Sequence, residues 1–263
     1  MKGTVTDEGN RCGTMNLVDV FADPAAIAAA AVDRIEAALA AAEASPTLGV
    51  ATGSSPGAVY ELLRAKHREG TFSLDGVSAV ALDEYRGLPA AHEQRYRTVL
   101  RRELVGAART GLREEDLHVP DADAVDPETA AVHFEGRITA LGGVDLQLLG
   151  LGANGHIGFN EPGTGFDART HLTTLEDSTR RANARFFHGD LSQVPQYAVT
   201  QGLATILEAR EIVLIAVGAE KAEAVRAMLH GPVTADCPAS VLQRHPRVSV
   251  LLDEAAASAL DER

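Results

Sequence analysis

The sequence predicts an α/β fold built on a mostly parallel sheet. Three observations carry this. Short apolar runs rich in Val, Leu and Ile recur along the chain, helical patterns alternate with them, and capping acids and prolines mark several boundaries between the two. An apolar run without polar alternation reads as a strand buried on both faces, the setting of a parallel strand covered by helices.

Taken in order, residues 1–14 are polar and without periodicity and read as a loose leader, with Met15 a candidate start and a single domain over 15–263. Strands are expected at 16–21, 47–52, 77–82, 144–150, 211–217 and 247–252. Helices are expected at 24–43, 56–68, 93–105, 127–141, 195–208 and 219–229. Asp23-Pro24 and Ser55-Pro56 each pair a capping side chain with a first-turn proline, and Gly231-Pro232 stops the helix before it. The alternation implies βαβ units, with no internal repeat and no low-complexity linker. In such sheets ligands bind beyond the carboxyl ends of the strands, so chemistry is sought in the strand-to-helix loops.

Composition narrows the function classes. With 263 residues, 45% of them hydrophobic, the chain can bury one sizeable core. No stretch approaches the ~18 apolar residues of a membrane span. The run Ala25–Val32 is short and preceded by acids, unlike a secretory signal. A formal charge of −13 without a basic stripe argues against nucleic acid as a partner. It also means that an anionic ligand must find a local positive site, because the global field repels it. Cys12 and Cys237 lack metal or redox spacing, and two thiols suit a reducing, cytoplasmic compartment.

Four loops stand out. Thr52-Gly53-Ser54-Ser55 follows a strand and offers a close backbone, hydroxyls and a helix start to an anion, or is simply a capped turn. Asp83-Glu84 lies at a strand end, where two acids can supply a general base or a helix cap at the start of a solvated loop. Gly150 to Gly163 contains a formal G-x-G-x-x-G, but Asn160-Glu161-Pro162-Gly163 breaks the helix that a dinucleotide site needs. Glu176 sits near the spacing of a ribose acid, yet Glu176-Asp177-Ser178-Thr179 reads better as a helix start. The glycines suit a tight loop presenting His156, with Asn154 and Glu161 close enough to orient its ring. Lys221 falls in the first turn of a helix, where a cation opposes the dipole unless an anion sits between them; alternatively it is a surface lysine.

Together these stretches resemble the glucosamine-6-phosphate deaminase family. The matching strings are LGVATGSSPGAVYELL, ALDEYRGLPAAHEQRY, DLQLLGLGANGHIGFNEPGTGFDARTH, STRRANARFF, VPQYAVTQGLATIL, GAEKAEAV and PASVLQRHP, in order from about residue 17 to the C-terminus. The resemblance implies a Rossmann-like three-layer α/β sandwich shared with ribose-5-phosphate isomerase and phosphogluconolactonases. It implies conversion of glucosamine 6-phosphate into fructose 6-phosphate and ammonia without metal or organic cofactor. By motif position, Asp83 corresponds to the base acting between C2 and C1, and His156 to the ring-opening residue supported by Asn154 and Glu161. Thr52, Gly53, Ser54, Ser55 and Lys221 correspond to the phosphate site, Arg185 to an arginine near the C1 oxygen, and 171–199 to a mobile lid.

The chain departs from the family in places. Some members carry aspartate where this chain has Asn154, which can accept an N–H bond but brings no charge. Allosteric members use an arginine and a lysine where this chain has His171 and Thr173, and the chain ends earlier than theirs, at Arg263, so activation by N-acetylglucosamine 6-phosphate is not expected. Those members are hexamers, which leaves a homo-oligomer open here. The alternatives are a 6-phosphogluconolactonase, whose loop runs Ser-Leu-Phe-Pro where this chain has Phe159-Asn160-Glu161-Pro162, and a sugar-phosphate-sensing domain without turnover. A third keeps the enzyme and changes the amino-sugar epimer.

Overall fold

The computed structural model describes residues Gly3–Thr4, 17–43 and 45–260. Apart from Gly3 and Thr4, the expected leader lies outside these residues, as do Cys12 and Met15. Among the described residues the main sheet has eight strands in the order β1-β2-β11-β10-β7-β3-β4-β6. These are β1 (Gly3–Thr4), β2 (Leu17–Phe21), β3 (Thr47–Val50), β4 (Ser78–Ala81), β6 (Leu117–His118), β7 (Leu146–Gly150), β10 (Glu211–Ala216) and β11 (Val248–Asp253). All neighbours run parallel except β1, which is antiparallel to β2.

Period-two alternation divides the core into two faces. Leu48, Val50, Ala79, Ala81, Leu146, Leu148, Val213 and Ile215 pack with α1 (Pro24–Ala40), α2 (Gly57–Arg68) and α3 (Tyr96–Leu104). Val80, Leu149, Ile212, Leu214, Val250 and Leu252 pack with α4 (Pro127–Ala140), α6 (Leu203–Leu207) and α7 (Ala222–His230). The expected layers are therefore present, and the expected strands of the main sheet lie within a few residues of the observed ones. Asp23 caps α1 through the Ala25 amide at 2.9 Å, and α7 stops at His230 before Gly231.

Strand order decides where a ligand can sit. From β3 the chain steps to β4 on one side; from β7 it steps to β10 and β11 on the other. The reversal falls between β3 and β7, where the diverging loops leave a crevice beyond the strand ends. The loops after β10, β7, β3 and β4 are those singled out from the sequence, and they leave four adjacent strands.

Three expectations need correction. The helix expected at 195–208 is a strand, β9 (Tyr197–Thr200), followed by the short α6. Here pairing overrides local pattern, because β9 lies between β5 (Asp83–Tyr85) and β8 (His171–Thr174) in an antiparallel three-stranded sheet. The Asp83-Glu84-Tyr85 segment is thus a buried strand and not the start of a solvated loop. Ser55 is not a helix cap: α2 begins at Gly57 with Pro56 at the capping position and no side-chain cap bond. A third apolar cluster, including Tyr85, Phe159, Leu175, Ala184, Phe187 and Val194, packs the small sheet against α5 (Asp177–Asn183) and the 3-10 turn Ala184–Phe187.

Gly202 joins the two sheets, and a Cβ there would collide with the backbone carbonyls of Ala168 and Arg169. Backbone cannot rotate away as a side chain can. Gly202→Ala should therefore cost about 1–3 kcal/mol or more, a fall in melting temperature of roughly 2–10 °C by thermal denaturation; an unchanged melting temperature would show that the close approach is relieved.

Candidate active site

A crevice of about 220 Å³ opens at the strand-order reversal. Thr52, Gly53, Ser54, Ser55, Asp83, His156, Arg185 and Lys221 all line it. Asn154 and Glu161 are absent from the lining and are bonded to His156 instead.

The two adjacent acids have separate tasks. Glu84 is 1% exposed and caps α3. Its carboxylate accepts from the amides of Tyr85 at 2.8 Å, Tyr96 at 2.9 Å and Arg97 at 2.9 Å. Strand alternation sends Asp83 the other way, into the crevice. Asp83 is 6% exposed, and among the described residues no side chain or amide bonds to its carboxylate. Burial pushes its pKa well above the usual carboxylate range, and the Glu84 charge adds to the shift. Of the two readings of this pair, the helix cap falls to Glu84, and Asp83 is the acid left facing the crevice.

The histidine loop is held from several sides. The buried Asn160 donates from Nδ2 to the carbonyls of Ile157 and Gln201, each at 2.9 Å, tying the loop to the end of β9. The Phe159 amide donates to Thr200 Oγ1 at 3.1 Å. The imidazole lies over Gly152, where any Cβ would overlap the ring. Asn154 Oδ1 lies 2.7 Å from His156 Nδ1 and also accepts from the His156 amide at 3.2 Å. A carboxamide oxygen only accepts, so Nδ1 carries the ring proton, and Nε2 has no protein partner among the described residues. Glu161 Oε2 lies 3.4 Å from Nδ1. Burial pushes Glu161 up, but its bond to His156, the charge of that ring and further hydroxyl and amide donors outweigh it and hold the carboxyl at about 2. Glu161 is therefore ionised at neutral pH, and its charge would offset a positive charge on the ring.

Arg185, in the 3-10 turn after α5, donates from Nη2 to Ser54 Oγ at 3.2 Å. Its guanidinium lies 4.8 Å from the centre of the Phe186 ring. This puts Arg185 on the Thr52–Ser55 loop. Lys221 closes a 3-10 turn before α7. Burial is the largest influence on Lys221 and lowers its pKa; Glu220 raises it, and Arg185 lowers it again. A bound dianion would relieve the repulsion between the two cations. Gly218 turns at φ 101°, and the Asp253 carboxylate accepts its amide at 3.0 Å and 3.1 Å, fixing the turn that presents Lys221. Asp253 had no signal in the sequence, and Asn160 is marked there only as part of a helix-breaking run, because each acts on backbone that is distant along the chain or around a turn.

Among the described residues no group of His, Cys, Asp and Glu could hold a metal ion, and no helix is long and apolar enough to cross a membrane.

The family model described as glucosamine-6-phosphate isomerases/6-phosphogluconolactonase matches residues 22–251. A glucosamine-6-phosphate deaminase of Pseudarthrobacter chlorophenolicus is 54% identical over 213 residues, 81% of each chain. That of Beutenbergia cavernae is 51% identical over 241 residues, 92% of each. Among solved structures, a glucosamine-6-phosphate deaminase described as monomeric superposes with a TM-score of 0.88 at 37% identity, covering 93% of this chain and 100% of that one. The 6-phosphogluconolactonase of Trypanosoma cruzi reaches a TM-score of 0.75 at 20% identity, covering 95% of this chain and 98% of that one, a likeness of fold alone.

Asp83 also bears on stability. Its folded pKa lies above the unfolded value, so the folded state holds the proton more tightly. Its stabilising contribution is fully present below an ordinary carboxylate pKa of about 4 and is lost as pH rises through the raised value. Asp83→Asn should therefore melt above the wild type at neutral pH, with the gain vanishing below about pH 4. Equal melting temperatures at neutral pH would contradict the burial argument.

Proposed function

The chain belongs to the glucosamine-6-phosphate isomerase/6-phosphogluconolactonase family, and within it we propose that it is a deaminase converting glucosamine 6-phosphate and water into fructose 6-phosphate and ammonia. The observation carrying this reading is that an isolated carboxylate, an imidazole with a free Nε2 and two cations line one crevice.

The sugar phosphate anchors on the Thr52–Ser55 loop, Lys221 and Arg185. Their charge makes a local positive site in a protein of charge −13. Anchoring turns the later proton transfers into steps within one complex. His156 Nε2 accepts the proton of the C1 hydroxyl and returns it to the ring oxygen, which opens the ring. The aldehyde acidifies the C2 proton; Asp83 removes it and returns it at C1. Burial serves this step, because a carboxylate deprived of water is a stronger base. The C1 oxygen takes up one of the nitrogen's protons as the nitrogen becomes an imine on C2, and water hydrolyses the imine to ketone and ammonia. Glu161 and Asn154 hold the imidazole and do not touch the sugar.

The lactonase reading draws support from the fold and from a family model that spans both activities, and neither separates the two. The sensor reading leaves unexplained why a binding site would keep a buried, unbonded carboxylate beside an imidazole, since burying such a group costs stability. The reading includes no metal, cofactor, nucleic acid or membrane partner, and places the enzyme in the cytoplasm.

Ammonia release from glucosamine 6-phosphate and its C4 epimer tests it. Asp83→Asn and His156→Gln should each lose about 10²–10⁴-fold in kcat. Lys221→Met should chiefly raise KM, by about ten- to a hundredfold, the worth of a charge-assisted hydrogen bond. Tight binding without ammonia from either sugar by the wild type would favour a sensor; proton release from the lactone would favour a lactonase.

A further inference from the structure

The Asn154 amide has more partners than a support for histidine needs. Its Nδ2 donates to Glu161 Oε2 at 2.9 Å and also to Glu176 Oε2 at 3.2 Å. Glu176 is held in turn. Ser178 Oγ donates to Glu176 Oε2 at 3.0 Å, and the Glu176 amide donates to Glu161 Oε1 at 3.1 Å. Glu176 immediately precedes α5, whose end leads into the turn carrying Arg185.

We infer that Glu176 is a positioning residue for the ring-opening step: it fixes which way round the Asn154 amide sits, and thereby which nitrogen of His156 is free to move protons. The inference rests on the deaminase reading of the site. A carboxamide is nearly symmetric in shape, so its orientation is set only by its partners. With both N–H groups on carboxylates, Oδ1 must face the His156 amide and Nδ1. A flipped amide would press its oxygen against Glu161 and Glu176 and its NH₂ against the amide of His156. It would also require Nδ1 to accept, moving the ring proton to Nε2, where it would block acceptance of the sugar's C1 hydroxyl proton. Glu161 alone secures the amide less well, because its Oε2 is shared with His156 Nδ1 and its Oε1 takes the Glu176 amide.

The same contacts explain the neutral residue at 154. An aspartate there would crowd three carboxylates around one point, with no N–H to bridge them. Positions 154 and 176 are therefore interdependent: asparagine suits a glutamate at 176, whereas aspartate needs a donor there.

Nitrogen-15 NMR of His156 in the free protein, with ammonia-release kinetics on the same variants, tests this. Glu176→Gln keeps an oxygen acceptor for Asn154 and should retain near wild-type kcat. Glu176→Leu should lower kcat about tenfold with little change in KM and reduce the population protonated at Nδ1. Asn154→Asp should be impaired alone and should recover most of its kcat when combined with Glu176→Gln, because the introduced amide can donate to it. The inference is overturned if Glu176→Leu leaves both kcat and tautomer unchanged, or if Asn154→Asp costs the same in both backgrounds. A wild type that releases no ammonia would defeat the reaction and not the positioning role, since the NMR measurement needs no substrate.

Discussion

A carboxylate held out of water is the constraint on which this site depends. Asp83 follows β4 into a region closed by β9 and the aromatic cluster of Tyr85, Tyr96 and Phe159. No donor among the described residues compensates it. Such a group is costly to the fold and useful to a reaction for the same reason: water would both stabilise its charge and weaken it as a base. The surrounding structure bears that cost through a large two-faced core and through Glu84, which satisfies the start of α3 one residue away.

The rest of the crevice follows from topology. A parallel sheet whose strand order reverses leaves one gap at its carboxyl edge, and four adjacent strands open their loops into it. Each loop contributes one kind of group: hydroxyls and backbone after β3, the carboxylate after β4, the imidazole after β7, the lysine after β10. Arg185 arrives from outside the main sheet, on the segment tied down by Phe187 and Val194. The crevice is therefore lined both by loops of the main sheet and by the segment that packs on the small sheet. The histidine is linked to that segment through Glu161, Asn154 and Glu176.

Much of this was legible in the sequence. Buried parallel strands announce themselves by uninterrupted apolar runs, and the loops after them need no further signal to be suspected. Tyr197–Thr200 was misread as helix because its strand character comes from two partners distant in sequence, β5 and β8. Ser55-Pro56 looked like a cap because local pattern cannot distinguish a serine facing a helix start from one beside Gly150. The separate tasks of Asp83 and Glu84 were also hidden, since adjacency in sequence does not reveal which side chain meets a helix end. Glu176 is marked in the sequence by its spacing and as a helix start; only folding brings it to the amide of Asn154.

The account stands on Asp83 as the group that takes the C2 proton of the anchored sugar. Incubating glucosamine 6-phosphate with the protein in D₂O and following the C2 proton and the C1 positions of the product by NMR tests this most directly. Deuterium should appear at C1 of fructose 6-phosphate with the wild type, to the extent that the carboxyl exchanges with solvent before returning its proton. With Asp83→Asn at a sugar concentration that saturates it, the C2 proton should remain in place. Exchange of that proton by Asp83→Asn at the wild-type rate would contradict the account, because some other group would then be the base.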